Sequence, residues 1–239
     1  MNPKIKFKVT YKKDIESVRA FINEASFDHG RNLKWAVYKN HPFLKKFIEK
    51  KETPDFADID KYIKETYIKN ESSYKNNFKF FESNWRKKEK YFFTLIKNLF
   101  GNFKWPKGKY IAFSTIWGMF PRFLEDKTFQ IPVEFKNKEY LNVVIAHELL
   151  HFIFYEYFYK KYPKYKKSEF NFYVWHISEI FNSLIQNSPS WIKVFNEKTM
   201  IYPEHKKIIS KIKKDSLVLK NVDSLIETII KHSKDSKSL

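Results

Sequence analysis

The chain of 239 residues contains no cysteine, which excludes disulfides and thiolate metal sites. Glycine is nearly as scarce, with four residues against nine prolines, so collagen-like, linker-rich and Gly-rich phosphate-binding architectures are excluded as well. Arginine is also rare: only Arg19, Arg31, Arg86 and Arg122 stand among the 46 basic residues. A net charge of +19 ordinarily points to nucleic acid or an anionic surface. Readers of bases and phosphates, however, lean on the planar arginine fork, and Lys, Asn, Ile, Phe and Tyr are the residues of A/T-rich codons. No specific nucleic-acid partner is therefore expected. The N-terminal residues MNPKIKFKVTYKKDIES lack the apolar run of a secretory leader. The most apolar stretch, Leu141 to Tyr155, is short and broken by His147, Glu148 and His151, so no membrane-spanning segment is expected. These features suggest a cytoplasmic protein.

What is present is core-forming material: 43 % of residues are apolar and 19 % aromatic, and a single domain over residues 1–239 would bury about 70 to 75 % of its unfolded surface. In so lysine-rich a chain, the absence of Lys is itself a signal. Tyr110–Pro121, Glu139–Tyr159 and Ser168–Ile192 hold no Lys or Arg. A window as long as the third would lack them by chance about 0.5 % of the time, and interiors exclude long charged side chains. Tyr110–Pro121 reads as a strand running into a turn, and Thr128–Phe135 as a second strand that Pro132 confines to a sheet edge. Lys4–Tyr11 alternates Ile5, Phe7 and Val9 with polar residues as a third. Glu139–Phe158, with Asn137 as N-cap, reads as a buried helix. Ser168–Asn187 reads as another, capped by Ser168 and stopped by Ser188-Pro189, with Val174, Ile177, Phe181, Leu184 and Ile185 as its apolar ridge.

The amphipathic stretches Asp14–Ala25, His41–Lys51, Ile59–Ile68 and Ser72–Phe100 suggest a Lys-rich helical N-terminal layer over residues 12–100. Residues 109–187 follow as the core that carries chemistry, then C-terminal helices over 188–233 (Pro203–Lys214 and Val222–Lys231) and a frayed tail at 234–239. The breaks near Glu52–Ala57 and at Gly101–Gly108 are the plausible boundaries. The fold class is α+β.

In the middle of the buried helix stands His147-Glu148-Leu149-Leu150-His151. Residues four apart on a helix share a face one turn apart, so both imidazoles can reach one metal ion, while Glu148 stands beside it, able to take a proton from a water. With seven His in the chain, composition alone yields roughly 0.015 occurrences of His-Glu-x-x-His. Burying three such groups among Val143, Val144, Ile145, Phe152 and Phe154 is costly without partners, and a zinc ion with a water supplies them.

The motif resembles that of the zincin metallopeptidases. The likeness extends over Lys109–Asn187, including the order of strands before an active-site helix, although only the five-residue motif is highly specific. Residues 152–157 hold no Gly and no third His at metzincin spacing, which leaves the gluzincin branch, whose third ligand is a Glu on a downstream helix. The resemblance thus implies a zincin-like α+β fold with a small mixed sheet, an active-site helix and a glutamate helix. It also implies one Zn2+ ion, a peptide or protein substrate and hydrolysis by a metal-activated water with Glu148 as general base and acid. Glu179 is the expected third ligand. Glu156 is turned away from the face of His147 and His151, and Glu169 sits at a helix start where the dipole explains it. His176, one turn before Glu179, is the close competitor. With Asn182 and Ser183 it is otherwise a candidate for contacts to the ligands or to substrate. Glu179 shares a polar stripe with His176, Ser183 and Gln186.

Farther along, His205, or failing it Tyr202, is the candidate donor to a developing oxyanion. Gly118-Met119-Phe120-Pro121 does not fit the Gly-x-Met-Glu-Asn of gluzincin aminopeptidases, which favours an endopeptidase, its peptide pairing with the edge strand at Thr128–Phe135. His29, His41 and His232 read as surface residues. A non-catalytic zinc scaffold and a basic binder of nucleic acid or anionic membrane are the rival readings.

Overall fold

A computed structural model describes residues 2–24, 32–49, 54–166, 172–214 and 221–234. Beyond Asn2, which groups with the second of them, the chain divides into two compact units, with the divisions after residues 83, 107 and 138. One division coincides with the end of the Gly101–Gly108 stretch. The other two fall within a helix and just before one, where nothing in the sequence marks a break. Both the 12–100 layer and the 109–187 stretch are therefore shared between the units.

The sheet unit, Pro3–Ser83 with Gly108–Lys138, begins with β1 (Lys6–Lys8), α1 (Lys12–Asn23) and α2 (Lys34–Asn40). A 3-10 turn at Pro42–Leu44 then leads into α3 (Lys45–Ile48), followed by α4 (Phe56–Lys69) and the first part of α5 (Glu71–Phe100). After α5 come β2 (Ile111–Thr115), β3 (Arg122–Phe123) and β4 (Thr128–Pro132). The strand order is β1-β2-β4-β3. The first two pairings are parallel and β3 runs antiparallel to β4.

The small mixed sheet of an α+β chain is thus present, but β4 lies inside it between β2 and β3 and is not the edge strand expected to receive a peptide. Pro132 is tolerated there for a local reason. Val133 N donates to the Thr115 carbonyl and Gln130 N to the Pro121 carbonyl, so alternation turns the Pro132 nitrogen toward the β3 side. β3 pairs only with Thr128 and Phe129 and ends before it, and the missing N–H costs no ladder bond.

Helix α1 rests on the sheet through Asp14, Ser17, Val18, Phe21 and Ile22, all buried at helical spacing. Two of these five are polar, and they form a network. Asp14 accepts hydrogen bonds from Tyr67 Oη (2.8 Å), Ile116 N (2.9 Å) and Gln130 Nε2 (2.7 Å), and Trp117 Nε1 donates to its carbonyl. Burial pushes the Asp14 carboxyl up to about 7 despite these donors.

The helical unit, Asn84–Lys107 with Glu139–Leu239, contains the rest of α5, α6 (Tyr140–Lys161), α7 (Phe172–Gln186) and α8 (Pro189–Phe195). A 3-10 turn at Pro203–His205, α9 (Lys206–Lys214) and α10 (Val222–Lys234) complete it. Residues 71–100 hold no Gly or Pro to interrupt α5, and Gly101, at φ +62°, closes it in the left-handed conformation that a Cβ disfavours. α6 starts later than its expected cap: Glu139, not Asn137, precedes its first turn, and the Glu139 side chain makes no capping bond. Along α7 the apolar ridge and the polar stripe are both buried. Ser168 and Glu169 at the expected start of α7 lie outside the described residues, as does the tail from 235 onward. Among the described residues no helix is long and apolar enough to cross a membrane.

Candidate metal centre

α6 and α7 run antiparallel, because contacts pair rising positions on one with falling positions on the other: Val143 with Gln186, His147 with Asn182, and His151 with Glu179. Gln186, Asn182 and Glu179 therefore meet α6 at successive turns. His147 and His151, four apart, turn their Nε2 atoms to within 3.0 Å of each other. Glu179 reaches across with Oε2 at 3.1 Å from His147 Nε2 and Oε1 at 3.2 Å from His151 Nε2.

Ligands at about 2.0 to 2.1 Å from a tetrahedral zinc ion stand roughly 3.3 to 3.4 Å apart. The three observed separations approach that triangle, and two imidazoles with a carboxylate are a ligand set that zinc takes, so the residues fit such an ion. Among the described residues this is the one group of three or more His, Asp or Glu side chains that could hold a metal. His151 and Glu179 are buried (0 % and 2 % exposed), and His147 keeps 18 % of its side chain accessible.

The electrostatics match groups brought together to share a cation. Burial alone would push the His147 imidazole down, but the Glu179 carboxylate, aided by that of Glu148, outweighs it and holds His147 above its ordinary value. Burial would raise Glu179, yet the two imidazoles hold its carboxyl well below the usual range. Both directions favour a proton held between the imidazoles and the carboxylate.

Around the ligands, Asn182 Nδ2 donates to the His147 carbonyl (3.2 Å). Gln186 lies 2.8 Å from His147 Nδ1 through Oε1 and 3.0 Å from the Val143 carbonyl through Nε2. Gln186 is a site residue that the sequence reading left unassigned. Its place on the stripe of Glu179 was legible, but its partners are set by the antiparallel register of α6, which no local pattern encodes. Ser183 is buried on the same stripe, and its hydroxyl makes no hydrogen bond to the ligands among the described residues.

His176 is outside the ligand group. Its Nδ1 lies 2.7 Å from His205 Nε2, with both rings buried, and Trp175 and Tyr202 pack against His205. Tyr202 is 45 % exposed. Glu148, on α6 beside His147, is 5 % exposed. Contrary to expectation, His41 is not a free surface residue. It is held between Tyr62 Oη and the Ile116 carbonyl, 2.9 Å from each. His232 lies on α10, and His29 falls outside the described residues.

Comparison with protein families, curated proteins and solved structures finds no match to this chain. Function has to be read from the site.

Proposed function

We propose that this protein is a zinc-dependent peptidase of the gluzincin type, acting as an endopeptidase. The observation that carries the reading is the triangle of His147, His151 and Glu179 donor atoms at 3.0 to 3.2 Å, with Glu148 adjacent to one ligand in the chain. Three protein ligands leave one position of a tetrahedral ion open, as catalytic sites do.

A zinc ion held there would supply a water of lowered pKa and polarise the scissile carbonyl. Glu148 takes the proton of the attacking water on its carboxylate and returns it to the leaving amine nitrogen. Glu179 offsets part of the dication's charge in surroundings that tolerate it poorly. His176 lies one turn along α7 from Glu179, and we assign the His176–His205 pair, with Tyr202 at its rim, as the source of the N–H donor to the developing oxyanion.

The decisive experiment is metal analysis of the purified protein joined to a peptide-cleavage assay. One zinc per chain and cleavage of internal peptide bonds are expected. Glu148→Gln should keep zinc and fold while losing about 10²- to 10⁴-fold in rate, and full activity in that variant would remove the mechanism.

One observation favours a second reading, a zinc centre that serves structure alone: Glu148, His151 and Glu179 are each no more than 5 % exposed. Wild-type protein that carries zinc and cleaves no peptide would establish it.

A further inference from the structure

We propose that Gln186 is a positioning residue for the candidate metal centre, one that keeps a proton on His147 Nδ1, so that the proton an incoming ion displaces is the one on Nε2. The inference rests on the zinc reading above and adds to it the group that sets the state of the most accessible ligand.

The argument starts from a carbonyl. The Val143 oxygen can only accept, so the Gln186 atom 3.0 Å from it must be the amide nitrogen. That fixes which way the carboxamide faces, and its oxygen is then the atom 2.8 Å from His147 Nδ1. A carboxamide oxygen also only accepts, so Nδ1 must carry a proton. A neutral imidazole protonated at Nδ1 has its lone pair on Nε2, the atom that faces His151 Nε2 at 3.0 Å and Glu179 Oε2 at 3.1 Å.

The opposite tautomer would set the Nδ1 lone pair against the amide oxygen. Turning the amide over would relieve that clash only by setting oxygen against oxygen at Val143. Gln186 is 2 % exposed, so either mismatch is felt at low dielectric.

The same face of α7 performs three tasks. Glu179 supplies a ligand, Asn182 holds the His147 carbonyl, and Gln186, seven positions after Glu179, orients the ring of His147. Gln186 is a neutral partner. It fixes the tautomer without adding a second negative charge beside Glu179.

Two readouts that do not depend on catalysis test this. In metal-free protein, nitrogen NMR of His147 above its titration range should show Nδ1 protonated and Nε2 bare. Zinc competition titrations should show Gln186→Met, which keeps length but is a weak acceptor and no donor, losing about 10- to 100-fold in affinity. Gln186→Glu, which keeps the acceptor for Nδ1 but gives up the donor to Val143, should stay within a few-fold of wild type.

A purely structural role would weaken both variants alike, since both lose the bond to the Val143 carbonyl, and that result would overturn the proposal. So would a neutral His147 that carries its proton on Nε2 in the wild type. Wild-type protein that takes up no zinc would instead overturn the metal-centre reading, and the NMR measurement would then judge the tautomer lock by itself.

Discussion

A proton and a metal ion would compete for the same atoms of His147, His151 and Glu179, and that competition has a sign. His147 is held above the ordinary histidine value of 6.5 by Glu179, so it stays protonated further into the neutral range than an isolated imidazole. An incoming ion must displace that proton. Zinc affinity should therefore fall as pH drops through and below this range, by about tenfold per pH unit where one proton is displaced. Calorimetric titrations in buffers of different ionisation enthalpy should detect the released proton, and a pH-independent affinity would show that the three atoms do not bind zinc together. The His176–His205 pair makes a second residue-scale prediction. If the pair donates to the oxyanion as a unit, His176→Ala and His205→Ala should each cost about 10²- to 10³-fold in kcat, with the double variant scarcely worse. Additive losses would mean that the rings act separately.

At the scale of elements, two buried polar contacts hold helices in register, one in each unit. In the helical unit it is the α7 stripe against α6. In the sheet unit it is Asp14, which ties α1 to α4 through Tyr67 and to β4 through Gln130. The Asp14 carboxyl, normally near 3.8, is pushed up to about 7. Below pH 4 folded and unfolded chains both carry its proton. Between 4 and 7 the unfolded chain loses the proton while the folded chain keeps it, so this group's contribution to stability falls as pH rises and levels off above about 7. A shift of roughly three units corresponds to about 4 kcal/mol across that window. Asp14→Asn keeps a neutral side chain of similar shape at all pH values, and Gln130 can turn over to accept from it. Denaturant titrations from pH 4 to 8 should show the variant lacking the wild type's downward slope, and parallel curves would mean that Asp14 ionises freely in the folded chain.

At the scale of the whole molecule, a ligand that binds only the folded chain stabilises it in proportion to the logarithm of its concentration, about 2.7 kcal/mol at a hundred times Kd. Zinc should raise the melting temperature and a chelator lower it. The protection should be local in origin: amide exchange ought to slow most in α6 and α7, the helices that carry the ligands. Uniform protection across both units would imply that the chain unfolds as one cooperative block, and no protection would deny that zinc binds the folded site. The charge of +19 acts at this scale too, but the two helices that bring His147, His151 and Glu179 together carry little of it: α7 holds no lysine, and α6 has them only at its end, Lys160 and Lys161.

The division between sequence and tertiary structure follows from the range of the interactions involved. Periodicity and the missing lysines made α6, α7 and the shared helix face of His147 and His151 legible, because helical spacing and the exclusion of charge from interiors are properties of neighbouring residues. The α+β class and β2 were legible for the same local reason. Three features were not. The interior place of β4 depends on where β3 stops. The network around Asp14 joins residues more than a hundred positions apart, and Asp14 looked only like a residue near a helix start. Gln186 owes its role to the antiparallel register of two helices. Contacts between distant segments are chosen by packing of the whole fold, so tertiary structure alone decides which polar side chain on a buried face meets which partner.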